Sequence, residues 1–256
     1  MKRKATISID ERRMYGDLAW TWPIISPPED YIEESEWFAN IIKNYSKIPV
    51  KMLLHLGCGG GHNDHTLKKY FEITSVDVSE EMLKLARNLN PDVTYLHGDM
   101  RTIRLEKYFD AVIIFDSINY MTTIEDLRAA FSTAFLHLKP GGIFLTYAEE
   151  TKEEFEQNKT VMSKKKKDDI EIILVDNSYD PNQSDTSFES TFVYLIRQGK
   201  KLKVEVDRHV LGLFSLNDWI KLLEEFKFEV KHMKFRFSNM KEDEYDSNFV
   251  CIKPSR

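Results

Sequence analysis

A doubly wound α/β sheet is the fold class that the sequence predicts, and two strand ends indicate it. The apolar run at residues 53–56 leads directly into a glycine-rich turn at residues 57–61. A second apolar run, residues 73–76, ends at Asp77, twenty residues after Gly57. Apolar strands that end in polar, glycine-rich turns are typical of parallel sheets, whose carboxyl ends hold ligands.

The glycine turn suits a ligand that contacts backbone. Glycine permits φ > 0 and close approach, so Gly57, Gly59 and Gly61 predict the floor of a cofactor site. Asp77 suits a ribose diol, because a carboxylate accepts protons from both hydroxyls. Taken alone, the turn is equally compatible with a purely structural strand–helix junction.

Further strands follow at regular intervals. Residues 93–96 lead into Gly98-Asp99-Met100, and residues 108–116 are apolar enough for a strand buried on both faces. A helix is predicted at about residues 124–138. The glycine turn at Gly141 then opens a fifth strand that extends to residue 145.

These landmarks, in this order, resemble the class I S-adenosylmethionine-dependent methyltransferases over residues 50–147. The resemblance implies a Rossmann-like, seven-stranded, mostly parallel sheet with an inserted antiparallel β layer, and S-adenosylmethionine as cofactor with S-adenosylhomocysteine as product. It implies cofactor contacts along the turn, at the ribose, around the adenine and beside the sulfonium: Gly57, Cys58, Gly59, Gly61, Asp77, Val78, Met82, Asp99, Met100, Phe115 and Asp116.

One position departs from that family. His55 stands two residues before Gly57, where an acid usually helps to anchor the amino group of the cofactor, so that contact is left open. Dinucleotide binding is the competing interpretation of the turn. It is disfavoured because His62 occupies the sixth place, where the dinucleotide fingerprint needs a small residue.

Composition narrows the class of protein. The 256 residues are 42% hydrophobic, enough for one sizeable core, and the net charge of −6 disfavours broad nucleic-acid contact. The lysine run at residues 164–167 is interpreted as a solvated loop or helix end. Cys58 and Cys251 do not indicate a disulfide framework. No apolar segment follows the basic residues 1–4, so we expect no membrane span and a cytoplasmic location.

The polar run at residues 62–65 invites a metal interpretation. No second ligand cluster accompanies it, so no metal is predicted. These side chains are instead expected to cap the following helix and to contact cofactor.

The N-terminal region is predicted to be a lid. A helix begins around Ser26 and its following prolines and acids and ends near Tyr45. Before it, residues 14–23 are densely aromatic. That segment resembles the lead-in of glycine-type and deoxyaminosugar methyltransferases, whose leading tyrosine, Tyr15 here, points its hydroxyl at the reacting methyl group or the acceptor. Simple packing of Tyr15 and Trp22 is the alternative.

An antiparallel layer is expected at residues 151–214, with a hairpin turn at residues 198–201. Valines alternate there with Glu205 and Asp207, which predicts a sheet with one wet face. The expected divisions are residues 1–48 for lid and helix, 49–150 for the cofactor core, 151–214 for the inserted layer and 215–256 for the closing elements.

Methyl transfer needs alignment and exclusion of water, and an amine acceptor needs only to be unprotonated. Tyr15, Tyr120 and His209 are the candidate catalytic residues. The leading hypothesis is N-methylation of a small-molecule amine such as an amino sugar. O- or C-methylation of a natural-product or quinone-like acceptor and a non-catalytic cofactor-binding module remain alternatives. A homodimer is also left open.

Overall fold

Two β-sheets organise the chain, of which the computed structural model describes residues 10–238 and 245–255. The helices are α1 Trp22–Ile25, α2 Ile32–Tyr45, α3 His62–Leu67, α4 Glu80–Leu89, α5 Ile124–His137 and α6 Leu216–Glu225. The strands are β1 Met52–Leu56, β2 Glu72–Asp77, β3 Thr94–His97, β4 Phe109–Ile114, β5 Leu138–Ala148, β6 Lys159–Lys167, β7 Ile170–Tyr179, β8 Ser187–Gln198, β9 Lys201–Gly212, β10 Glu229–Phe235 and β11 Asp246–Ile252.

The first sheet has seven strands in the order β10-β11-β5-β4-β1-β2-β3. Strands β1 to β5 pair in parallel, and β11 runs antiparallel to both β5 and β10. Strands β6 to β9 form a separate antiparallel sheet. This arrangement confirms the predicted doubly wound sheet and the inserted antiparallel β layer.

Apolar residues on both faces explain why the central strands are buried. Leu54 and Val112 pack into a cluster with residues of α5 and α6, whereas Leu53 and Ile113 pack on the other face with residues of α2. All six residues of β4 are buried. Because side chains alternate along a strand, such continuous apolar runs fill two core layers at once.

Polar side chains fix where the helices begin. Ser215 forms a capping box with Asp218 and starts α6. The expected helix after Ser26 begins as a 3₁₀ turn at Pro28–Tyr31 and becomes α-helical only from Ile32. None of the helices in the described ranges has the length and hydropathy of a membrane-spanning segment.

The interpretation of the lysine run was wrong. Residues 164–167 belong to β6, which pairs along its whole length with β7. Lys164 forms an ion pair with Glu171, and Lys165 reaches Asp30. As the outermost strand of its sheet, β6 has one unpaired edge, and lysines are common on such edges because they hinder pairing with other chains.

The antiparallel sheet has an unusual distribution of polarity. Glu205 and Asp207 point inward, and Asp207 is fully buried. Val204 and Val206 point outward and are 55% and 40% exposed. One face is therefore wet, as the alternation predicts, but Val204 and Val206 lie on it instead of the acids. The inner face of β9 carries charge because Glu205 pairs with Arg13, and Asp207 pairs with His209 and accepts the backbone N–H of Met14.

Candidate active site

A cavity of about 290 Å³ opens at the carboxyl ends of β1, β2 and β4. We call it the first cavity. Most of the predicted site residues line it, from the glycine turn, the ends of β2 and β4 and the N-terminal segment: Tyr15, Gly57, Cys58, Gly59, Asp77, Val78, Asp99, Met100, Phe115, Asp116 and Tyr120.

The three glycines of the turn have different surroundings, although all have positive φ. A Cβ on Gly57 would lie 2.0 Å from Oγ of Ser117, so this glycine is needed for packing. A Cβ on Gly59 would meet no atom within 4 Å, because the position faces open space. Gly61 packs against Tyr95 of β3 and does not line the cavity. Gly59 is therefore the glycine with free space beside it.

Asp77 braces the turn as well as facing the cavity. Its Oδ2 accepts a 2.7 Å hydrogen bond from the backbone N–H of Gly59, and its Oδ1 accepts one from Ser79. Burial raises the pKa of this carboxyl, against the lowering effect of those backbone bonds. Two oxygens with about four acceptor positions still leave room for two hydroxyl donors.

Two other predicted residues lie outside the first cavity. Met82 is completely buried in a cluster with Met14 and Leu18, because the N-terminal segment covers that face of α4. His209 is also completely buried and lies on the inner face of β9. It connects to the cavity only through other side chains.

Asp99 has a partner that the motif did not reveal. The Arg101 guanidinium donates to both of its oxygens and also reaches Asp126 at 2.8 Å. These hydrogen bonds lower the pKa of Asp99 despite its partial burial. The carboxylate is thus held ionised and oriented at the adenine end of the cavity that the resemblance implies.

His55 belongs to a buried hydrogen-bonded group. Its Nδ1 lies 2.7 Å from Oδ1 of Asp64, and Oδ2 of Asp64 accepts a 2.7 Å bond from Ser75. All three residues are almost fully buried, and His55 lines the first cavity. A buried carboxylate that accepts the Nδ1 proton leaves Nε2 of a neutral imidazole as an acceptor.

The expected capping role of residues 62–65 was wrong. Gly61 is the N-cap of α3, and no side chain forms a cap hydrogen bond there. Asn63 instead bonds Glu34 of α2, and His65 bonds Asn90. The side chains of Asn63 and His65 form hydrogen bonds to neighbouring elements instead of capping the helix, because α3 is buried on most sides.

His62 lines the first cavity and is stacked against Trp22, with ring centroids 6.0 Å apart. Burial lowers its pKa to about 4, so the ring is neutral at pH 7. Its buried Nδ1 has no hydrogen-bond partner within residues 10–238 and 245–255. A buried polar atom without a partner is costly, so it indicates a ligand group at this place.

A second cavity, of about 390 Å³, adjoins the first. Its floor is the inner face of the antiparallel sheet, which contributes Asp176 and Phe192 among other residues. Tyr15, Trp22, Asp116 and Tyr120 line both cavities. Asp116 accepts a hydrogen bond from Tyr147, and burial among protein atoms raises its pKa.

The predicted catalytic residues form a hydrogen-bonded chain at the junction of the cavities. The hydroxyls of Tyr15 and Tyr120 are 2.9 Å apart, and Tyr120 lies 2.7 Å from Nδ1 of His209. Nε2 of His209 lies 2.8 Å from Oδ2 of Asp207. We call this chain the relay. Burial raises the pKa of both tyrosines well above that of a free phenol.

Asp207 belongs to the relay, although the sequence did not single it out as a site residue. Burial alone would raise its pKa, but His209 and the backbone N–H groups of Arg13 and Met14 lower it. The carboxylate therefore anchors the N-terminal segment and the imidazole together. The available signal was the spacing of Asp207 and His209, since residues i and i+2 of a strand share a face.

A family model described as "Methyltransferase domain" matches residues 53–142. The chain carries a methyltransferase domain. Its match contains the glycine turn, Asp77 and Asp99, and the class I methyltransferase resemblance is thereby confirmed.

Similarity to curated proteins covers about half of the relatives' length. The chain is 38% identical over 118 residues to dTDP-3-amino-3,4,6-trideoxy-alpha-D-glucopyranose N,N-dimethyltransferase of Streptomyces venezuelae, which is 45% of this chain and 49% of that protein. The chain thus spans about half the length of the curated relatives that it matches.

Solved structures resemble the methyltransferase domain together with the surrounding elements. Streptomyces venezuelae DesVI superposes with a TM-score of 0.80 at 24% identity, over 95% of this chain and 98% of that one. SAM-bound CalS10, an amino pentose methyltransferase from Micromonospora echinaspora, gives a TM-score of 0.77 at 22% identity, over 87% and 91%. At these identities the likeness establishes the fold.

Proposed function

We propose that this chain is an S-adenosylmethionine-dependent N-methyltransferase that acts on the amine of an amino sugar. The observation that carries the proposal is the junction of the two cavities. One cavity contains the glycine turn and Asp77, the other is floored by the antiparallel sheet, and the Tyr15 and Tyr120 hydroxyls lie where they meet. The names of the curated relatives support the same reaction class.

The residues of the first cavity fit this cofactor. Gly59 has free space beside it, Asp77 retains acceptor positions for a ribose, and the unpartnered Nδ1 of His62 suits the carboxylate or amine of the methionine part. We further assign Nε2 of His55 as the acceptor for the amino group, in place of the usual acid. Replacement of that acid by His55 is the reason to consider a non-catalytic module, and the hydrogen bond between His55 and Asp64 supports His55 in the role of the acid instead.

When bound, S-adenosylmethionine supplies an electrophilic methyl group on a sulfonium. The chain has to orient the acceptor and take up one proton. In this structure the Tyr120 hydroxyl donates to the oxygen of Tyr15. When both hydroxyls rotate so that Tyr15 donates to Tyr120 and Tyr120 donates to Nδ1 of His209, the oxygen of Tyr15 is available to accept an N–H of the amine. Tyr15 thereby directs the nitrogen lone pair away from itself and toward the first cavity.

The relay then removes the proton. As the nitrogen gains a methyl group, its proton passes to Tyr15, the Tyr15 proton passes to Tyr120, and the Tyr120 proton passes to Nδ1 of His209. Each hydroxyl loses one proton and gains one, so the imidazole alone changes charge. Asp207 stabilises the resulting imidazolium at 2.8 Å.

Water is excluded by the N-terminal segment. Glu11 donates a backbone hydrogen bond to Arg208, and Ser79 at the start of α4 donates to the carbonyl of Tyr15 at 2.6 Å. These bonds tie the segment to both sides of the cleft. A closed cleft protects the methyl group from hydrolysis and strengthens the electrostatic contacts inside it.

The test is methyl transfer with free and dTDP-linked amino sugars beside catechol and quinol acceptors. Formation of S-adenosylhomocysteine and the mass of the product are measured. We expect N-methylated product only from amines, and Asp77→Ala serves as the cofactor-binding control. Methylation confined to hydroxyl acceptors would support the O-methyltransferase alternative.

We also propose a homodimer through the outer face of the antiparallel sheet. The pairing register places Met162, Val175, Val193 and Val206 side by side, next to a row that includes Val204. Exposed apolar faces of this kind mark association sites, and Met162 is 69% exposed.

Light scattering after size-exclusion chromatography tests the dimer. The double variant Val204→Glu with Val206→Glu should halve the mass. Leu136→Glu, which places the same charge on exposed residue 136 of α5, should leave it unchanged. A monomeric wild-type chain would contradict the proposal.

A further inference from the structure

The charge of the second cavity identifies its substrate class more closely. Resting on the proposed function, we infer that the acceptor is a cationic sugar-like compound with at least two amino groups and no phosphate. The observation is an excess of carboxylates in the cavity where the acceptor would lie.

Four acids and one base line this cavity: Asp116, Glu149, Glu150, Asp176 and Lys159. Nζ of Lys159 lies 3.6 Å from Glu150, so this base, which has no second among the described lining residues, is shared with one of the acids. Glu149 accepts a 2.8 Å bond from Asn119, and Asp176 accepts one from Ser190. A ligand that enters between these groups meets a negative field, which favours a cation.

Cations bordering the first cavity are already engaged. Arg12 pairs with Asp10 at 2.7 Å, and Arg101 pairs with Asp99 and Asp126. Within the described ranges, every Lys or Arg that lines either cavity has such an acidic partner. A diphosphate carries two negative charges and requires free guanidinium or ammonium donors, and here it would face carboxylates instead.

The ionisation of the acids agrees with this geometry. Burial raises the pKa of Glu150 against the opposing effect of Lys159, and burial likewise raises the pKa of Asp176. Carboxylates are destabilised in this way when they lose water without gaining a full counter-charge. An ammonium bound beside them supplies that charge.

Apolar and aromatic walls complete the cavity. Trp22, Phe188 and Phe192 face its interior together with Leu174 and Leu211. Aromatic faces pack well against the C–H faces of a six-membered ring and attract a nearby ammonium. Acids beside aromatic rings therefore suit an amino sugar or aminocyclitol.

Two amino groups are needed because binding and reaction make opposite demands. The nitrogen that attacks must be unprotonated, and the relay at Tyr15 serves that nitrogen. The carboxylates of the second cavity favour a nitrogen that stays protonated. One amine thus reacts while another holds the acceptor in place.

The experiment measures binding to the full chain loaded with S-adenosylhomocysteine. Calorimetry compares the diaminocyclitol deoxystreptamine, the monoamine glucosamine and thymidine diphosphate. We expect deoxystreptamine to bind at least about tenfold more tightly than either of the others, as one added charge-assisted contact would give. Stronger binding of thymidine diphosphate, or binding of neither amine, would overturn the inference.

Two substitutions separate the cavity from general charge effects. Glu150→Gln should weaken deoxystreptamine binding about tenfold, whereas Glu36→Gln, which removes the same charge from an exposed position of α2, should not change it. Asp176→Asn gives a second test if Glu150→Gln lowers the melting temperature. Equal affinity in all these variants would contradict the inference.

A parallel methyl-transfer assay keeps the two proposals apart. The expected order of affinities without any methylated amine would refute the proposed function and leave the ligand class standing. Methyl transfer to dTDP-linked amino sugars in preference to deoxystreptamine would support the proposed function and refute the inferred ligand class.

Discussion

The hydroxyl of Tyr120 lies 2.7 Å from Nδ1 of His209, although 89 residues separate them in the chain. Tyr120 follows β4 of the seven-stranded sheet, and His209 belongs to β9 of the antiparallel sheet. This hydrogen bond therefore connects the seven-stranded sheet to the antiparallel sheet. It requires both sheets to be in place before the relay exists.

Asp207→Asn should reduce kcat about 10–100-fold with little change in the KM for S-adenosylmethionine, because it removes the counter-charge of His209 but no cofactor contact. The loss relative to wild type should shrink as pH rises, since hydroxide in solution can then take the proton that His209 accepts less readily. The measurement is a kcat–pH profile. Asp169→Asn in the exposed hairpin of the same sheet is the control, and an unchanged profile would exclude the relay.

Tyr15→Phe should lower kcat by about 10–100-fold while leaving the melting temperature almost unchanged. The substitution removes the orienting hydroxyl and keeps the ring that packs edge-on against Tyr120 at 5.3 Å. Steady-state kinetics and thermal melts decide it. Full activity in the variant would return Tyr15 to a packing role.

Asp77→Ala should weaken S-adenosylmethionine binding by about 1.5–3 kcal/mol, the usual loss of a hydrogen bond to a charged group. The change also removes the acceptor of the Gly59 N–H, so the turn itself loosens. Calorimetry measures the affinity. NAD is titrated beside it, and binding of NAD alone would refute the cofactor assignment.

Gly59→Val should lower cofactor affinity, whereas Gly57→Val should lower the stability of the fold. A side chain on Gly59 projects into open space, so this variant should fold and lose cofactor affinity. Its φ of 51° adds strain of about 1–2 kcal/mol. A side chain on Gly57 collides with Ser117, so that variant should lose stability itself. Melting curves and calorimetry on both variants distinguish the two roles.

The free energy of unfolding should fall as pH drops from about 6.5 to about 4, in part because of His62. The folded-state pKa of this residue is lowered by burial to about 4, so the unfolded chain binds its proton first. The contribution amounts to about 3 kcal/mol across that window. His62→Gln should flatten the dependence relative to His97→Gln, as measured by denaturant unfolding at several pH values.

Local patterns predicted the first sheet well. In the buried strand β4 every residue except Asp110 is apolar, and glycine turns mark strand ends regardless of distant context. The strand β6 was missed because it has few apolar residues, and its pairing with β7 supplies the order that its own sequence does not. Polarity alone therefore misassigned residues 164–167.

Contacts between side chains of different helices and strands could not be predicted from the sequence. Asp64 and His55 are nine residues apart, and nothing local shows that a helix start and a strand end meet there. Met82 is a case in which the sequence predicted a contact that the structure does not show, since its position in the family motif suggested an adenine contact. Here Met14 and Leu18 cover it. Such outcomes depend on how an N-terminal segment folds back.

The two faces of β9 constrain how this protein can change. Inserting one residue near Val206 would turn the side chains beyond it over, bringing valine into the cavity and exposing Asp207 and His209 to water. Altered acceptor preference must then arise by exchanging single side chains such as Asp176, with strand length and pairing kept. Variants with new specificity should accordingly be sought among substitutions on the inner face of this sheet.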